Sequence, residues 1–117
     1  MSAFGKVFEK LKAEGTGALI AYIMAGDPSL DVTTSIADAL ICGGTDILEL
    51  GVPFSDPIAD GPSIQAASVR ALNAGTTPRE VFRTVKEIKE NQVIIDFQSP
   101  AEAIRPGLSA QVRIKLT

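Results

Sequence analysis

The chain has 117 residues, 45% hydrophobic and 21% charged, with a formal net charge of −3. That length supports one domain with a core of its own but not a complete (β/α)₈ barrel, and a mildly acidic chain without Lys/Arg runs offers nucleic acid no surface. The absence of histidine and a lone cysteine, Cys42, exclude His-based triads, His-ligated zinc, disulfide frameworks and thiolate clusters.

Phe4, Val7, Phe8 and Leu11 recur at i, i+3, i+4 and i+7, with lysine and glutamate between them. This predicts an amphipathic helix from Ser2 to Glu14, laid on a core and ended by Gly15 and Gly17. No long apolar run precedes or forms it, so neither a signal peptide nor a membrane anchor is expected, and a cytoplasmic location follows by default. Ala18 to Met24 is continuously apolar apart from Tyr22, which predicts a short strand buried on both faces. Gly26-Asp27-Pro28-Ser29 supplies a turn and then a helix start. The following helix carries Val32, Ile36 and Leu40 on one stripe and stops at Gly43-Gly44. A second strand, Asp46 to Val52, completes a βαβ unit.

Pro62 opens the next helix, where its missing N–H costs nothing, and that helix runs through Ile64, Ala67, Ala71 and Leu72 to Gly75. Thr77-Pro78-Arg79-Glu80 has the spacing of a capping box with proline at the first helical position. The helix it starts turns Val81, Val85 and Ile88 to the core. Gln92 to Phe97 reads as a third strand, placed beside the first two, and the strict alternation from Ser109 to Leu116 reads as a strand with one wet face. The expected fold class is α/β: parallel strands in a single domain, with an α/β part over residues 1–91 and appended β-strands over 92–117 that complete the sheet as a hairpin.

Two carboxylates occupy unusual positions. Glu49 interrupts an apolar strand, sharing a face with Ile47 and pointing away from Leu48 and Leu50. Near the strand's C-terminal end it stands at the mouth of the sheet, where α/β ligands bind and where burial favours a protonated carboxyl. Asp60 precedes the helix opened by Pro62, whose N-terminus favours an anion. A proton donor beside a fixed anion is a pattern for acid–base chemistry. The alternatives are structural: a strand-end Glu that reaches solvent or a Lys, and an Asp in ordinary turn chemistry before Gly-Pro. Ser55, Asp56 and Asp27 read as turn residues beside prolines, and Tyr22 as either a mouth residue or a core tyrosine. Gly43-Gly44 ends a helix rather than starting one, so no phosphate loop, cofactor or metal is expected.

The motifs Ala25-Gly26-Asp27-Pro28-Ser29, Glu49-Leu50-Gly51-Val52-Pro53-Phe54-Ser55-Asp56-Pro57 and Ala59-Asp60-Gly61-Pro62-Ser63-Ile64-Gln65 closely resemble the tryptophan synthase α subunit. So do Arg70-Ala71-Leu72 and Ala74-Gly75, and the resemblance covers about the first 90 residues. It implies the first two strands of a (β/α)₈-barrel lyase that cleaves indole-3-glycerol phosphate to indole and glyceraldehyde 3-phosphate. It also implies that Glu49 is the acid–base catalyst, that Asp60 pairs with the indole N–H and that Tyr22 lies beside the indole. The Pro53–Asp60 loop, with Pro53 and Asp56, would meet the β subunit. From Val93 to Thr117 the sequence instead resembles the β-rich end of periplasmic adaptor (membrane-fusion) proteins, so the chain looks like a chimera: a barrel fragment carrying strands from elsewhere. The expected function is therefore that of a fragment-built domain, inactive alone and able to form a homodimer. The alternatives are a working lyase or a non-catalytic binder of the β subunit.

Overall fold

Serine and threonine hydroxyls start three of the helices by taking up N–H groups that have no partner within the helix. Ser2 Oγ accepts from Gly5 N–H (3.1 Å) ahead of α1, Ala3–Glu14. Ser29 Oγ accepts from Val32 N–H (3.3 Å) ahead of α2, Leu30–Cys42. At α4, Pro78–Glu90, the capping box is complete: Thr77 Oγ1 accepts from Glu80 N–H (3.4 Å) and Glu80 Oε2 accepts from Thr77 N–H (3.1 Å). The remaining helix, α3 (Pro62–Asn73), begins on its proline with Gly61 at the cap and no side-chain bond there. A computed structural model describes residues 2–56, 59–90, 93–96 and 111–116.

The strands are β1 (Ile20–Met24), β2 (Ile47–Gly51), β3 (Val93–Asp96) and β4 (Gln111–Leu116), in the sheet order β1-β2-β4-β3. β1 and β2 are parallel, in register from Ile20↔Ile47 to Met24↔Gly51. The Asp46 carboxylate accepts from Leu19 N–H (2.8 Å) at the start of the pair, and Ala25 N–H donates to Gly51 O (2.9 Å) beyond its end. β4 runs antiparallel to both β2 and β3. The third strand is thus at the far edge of the sheet and not beside β2, which corrects the expected order. β4 pairs along all of β2, from Ile47↔Lys115 to Gly51↔Gln111, a longer ladder than the four-residue β3 could offer. The Ser99–Gly107 connection expected between these strands lies outside the described residues.

One face of the β1–β2 pair carries the core. Leu48 and Leu50 are fully buried with Ala37 of α2 and Val81, Val85 and Ile88 of α4, while Ala21, Ile23, Leu40 and Ile41 pack at the margin. Burying a leucine or isoleucine side chain stabilises by about 1.5–3 kcal/mol, so these few residues anchor the layer. The α4 stripe is as the spacing predicts. Three other expectations change.

β1 is not buried on both faces: only Met24 is buried, and Ile20 is 49% exposed. An apolar run records composition, whereas β1 occupies a sheet edge, with its outer side unpaired among the described residues. On α2 the buried residues are Thr33 and Ala37, and Val32 is exposed. Thr33 Oγ1 accepts from Gly26 N–H and donates to Ser29 O, both at 2.9 Å. That buried hydroxyl turns the helix by about one residue, roughly 100°, from the apolar stripe. On α1 only Leu11 of the stripe is buried and Phe8 is exposed, so this helix lies lightly on the domain.

Candidate active site

Strand register assembles the site on the opposite face of the sheet. Tyr22 and Glu49 are direct partners across β1 and β2, and Met24 and Gly51 are the next pair on that face. Glu49 therefore faces away from Leu48 and Leu50, as alternation requires, and is half-buried. The side chain of Tyr22 lies over Gly51. A Cβ built at Gly51 would overlap the phenol oxygen, and would come within 2.8 Å of Cζ and 3.1 Å of Met24 Sδ. Glycine is what lets the aromatic ring settle against the strand.

Asp60 comes to the same place from the loop. It is half-buried just ahead of Gly61, and Gln65 Nε2 donates to its carbonyl (2.8 Å), closing the loop onto the first turn of α3. Asp60 lies in the bend that leads into α3, and its side chain does not cap that helix. The phenol of Tyr22 is held above its ordinary value of 10.0, first by burial, then by the negative charge of Asp60 and then by that of Glu49. Glu49 and Asp60, read separately along the chain, thus both bear on Tyr22 in space. A phenol kept neutral in this way can donate a hydrogen bond.

The helix behind them is set by contacts that the sequence does not announce. Ala67 and Ala71 of α3 are buried against Met24, with Tyr22 and Ile64 alongside. Ser68, fully buried, accepts from Phe54 N–H (2.8 Å) and donates to Phe54 O (3.1 Å), tying α3 to the exit of β2. Asp27 is more than a turn residue: Arg70 Nε and Nη2 donate to its two carboxylate oxygens at 2.8 and 2.9 Å. This pair holds the Asp27 carboxyl below its ordinary value, chiefly through the arginine hydrogen bonds. Periodicity could not reveal Ser68 or Arg70, since their partners lie 14 and 43 residues away. Pro53 is buried at the loop entry, while Ser55 and Asp56 are exposed; residues 57–58 of the loop lie outside the described residues. No group of three or more His, Cys, Asp or Glu among the described residues is placed to hold a metal. None of the helices described is long and apolar enough to cross a membrane.

The profile of the family described as "Tryptophan synthase alpha chain" matches residues 8–97. The chain belongs to the tryptophan synthase alpha chain family. The match passes Asn91 and takes in β3, so the family likeness reaches further than the first 90 residues that the motifs mark. Among similar alpha chains, that of Azoarcus sp. (strain BH72) is 47% identical over 109 residues, covering 89% of this chain and 40% of the relative. That of Methanopyrus kandleri is 55% identical over 85 residues, covering 73% and 31%. The crystal structure of tryptophan synthase subunit alpha from Legionella pneumophila str. Paris superposes with a TM-score of 0.74 at 41% identity, covering 86% of this chain and 37% of that one. The chain thus spans about two fifths or less of the length of these alpha chains, and its α/β architecture with parallel β1 and β2 is that of the corresponding part of their fold.

Proposed function

We propose that this chain carries the acid–base part of a tryptophan synthase α-type lyase site, with Glu49 as the proton-transferring carboxyl, Asp60 as the acceptor for an indole N–H and Tyr22 as the aromatic wall. The observation that carries this reading is the convergence of Tyr22, Glu49 and Asp60 at the C-terminal mouth of the parallel strands. The substrate class follows from the family: indole-3-glycerol phosphate, cleaved by a retro-aldol step.

These residues alone do not sustain turnover. Orienting a substrate by its remote groups can supply about 7–11 kcal/mol of a barrier. The 117 residues cover 40% or less of the relatives above, and turnover is proposed to need elements beyond them. Binding of the indole end is retained. In an amide NMR titration with indole, shifts should cluster at residues 22–26, 49–54 and 60–65 and weaken in Asp60→Asn. Shifts elsewhere, or none, would overturn the site. Release of indole from indole-3-glycerol phosphate, abolished in Glu49→Gln, would overturn the inactivity.

The segment that follows the family match has a separate origin, which makes the chain a chimera. The supporting observation is the direction of β4: a (β/α)₈ barrel is all-parallel, and β4 stands antiparallel between β2 and β3. The outer edge of β1, apolar and unpaired among the described residues, supports self-association into a homodimer. A β subunit that recognises Pro53 and Asp56 is the family's expected partner for the loop.

A further inference from the structure

We infer that Asp27 and Arg70 form a positioning clamp that seats α3 on the mouth of β1 and thereby holds Asp60 against Tyr22. The inference rests on reading Tyr22, Glu49 and Asp60 as one site, and it adds Asp27 and Arg70 as residues that position it.

The apolar contacts of α3 come from buried Ala67 and Ala71, whose methyl groups let the helix come close, and from half-buried Ile64 in its first turn. Beyond Ile64 the seat consists of small residues, over which the later turns can slide or roll at small cost, so directional bonds set their position. Two such ties are present. Ser68 exchanges a pair of hydrogen bonds with Phe54 and so links the middle of α3 to the end of β2. Arg70, in the last turn, makes a two-point contact with Asp27, in the loop that leaves β1. A guanidinium fork on a carboxylate defines a plane as well as a distance, which an ammonium cannot do. Asp27 is itself well placed: its side chain is 18% exposed, its N–H donates to Met24 O (3.3 Å), and neighbouring Gly26 is bonded to Thr33. The clamp thus joins α3 to the strand that carries Tyr22. Asp60 precedes the first turn of the same helix, bonded to it through Gln65. Rolling α3 moves Asp60 relative to Tyr22.

The chain contains one tyrosine and no tryptophan, so tyrosinate absorbance reports Tyr22 alone. The charged groups that bear on it are Asp60, ahead of α3, and Glu49 on β2. Arg113 of β4 is the register partner of Glu49 and is untouched by the variants. The sign of the effect separates the clamp from simple electrostatics. Removing the positive charge of Arg70 should by itself favour the neutral phenol and raise the titration midpoint. Loss of the clamp, which lets Asp60 move off, should lower it.

The experiment is an alkaline spectrophotometric titration of the full chain, with far-UV circular dichroism constant over the range used. Asp60→Asn should lower the Tyr22 midpoint, and Arg70→Met should lower it by most of the same amount. Arg70→Met added to Asp60→Asn should lower it no further, since the two act through one contact. A midpoint that stays or rises in Arg70→Met, or a further drop in the double variant, overturns the clamp. If Asp60→Asn leaves Tyr22 unmoved, the shared site itself fails, which keeps the two failures distinct. Should Arg70→Met not fold, Arg70→Lys keeps the charge but not the fork. A wild-type midpoint in that variant overturns the proposal, and a lowered one supports it.

Discussion

A phenol that is partly buried beside two carboxyl groups keeps its proton to higher pH than a free one, and that preference is linked to folding. For Tyr22 the folded state holds the proton more tightly than the unfolded state. Its stabilising contribution is therefore complete below about pH 10 and is lost as the pH rises through the folded midpoint. Asp27 works in the opposite direction: its folded value lies below 3.8, so its contribution is present above that pH and fades as the solution becomes more acid. Melting temperature against pH should fall at both ends. Tyr22→Phe should flatten the alkaline limb and Asp27→Asn the acid one. Gly51 makes the other residue-scale prediction. A methyl group there meets the phenol of Tyr22 and the sulfur of Met24, and overpacking of this kind costs about 1–3 kcal/mol. Gly51→Ala should lower the midpoint of urea unfolding and move the ring of Tyr22, seen as altered ring resonances.

Among the elements, α4 joins a closed capping box to a stripe of fully buried residues. Thr77→Ala removes one cap hydrogen bond and should cost about 1 kcal/mol, read as a lower midpoint with unchanged slope in urea. This helix was legible in advance because its start signal and its periodicity agree, and the buried Thr84 sits beside the apolar stripe without displacing it. α2 shows the converse. Its cap at Ser29 was legible, but of the stripe of Val32, Ile36 and Leu40, Leu40 packs at the core margin while Val32 is exposed, because the bonds of Thr33 to Gly26 and Ser29 turn a smaller residue, Ala37, inward. A threonine in a helix looks the same in sequence whether its hydroxyl faces solvent or anchors a loop. For α3, proline and spacing mark where the helix begins, yet its seat on Ala67 and Ala71 and its ties through Ser68 and Arg70 depend on partners distant in the chain.

For the whole molecule, the sheet's edges decide what is exposed. β1 reads Ile-Ala-Tyr-Ile-Met, without the lysine, proline or bulge that usually guards an edge. Exposed Leu19 and Ile20 extend that surface at 54% and 49%. A two-fold pairing of β1 with a second copy would satisfy the unpaired backbone groups of both chains. Sedimentation equilibrium should give a concentration-dependent dimer. Ile20→Lys should shift it to monomer while changing the melt little, as the residue is half exposed. A monomer at all concentrations in the unmodified chain would remove self-association from the reading.

By itself the sequence determined whatever depends on near neighbours: the starts of α2, α3 and α4, the βαβ order, the parity that turns Glu49 away from Leu48 and Leu50, and the motifs of the tryptophan synthase alpha chain family. These follow from hydrogen bonds three or four residues apart and from the two-residue alternation of strands. Only the tertiary structure decided that Tyr22 lies over Gly51, that the charge of Asp60 bears on Tyr22, that Asp27 meets Arg70, and that β4 stands between β2 and β3. Each of these joins residues whose separation along the chain says nothing about their distance in space, and each is settled by how whole elements pack.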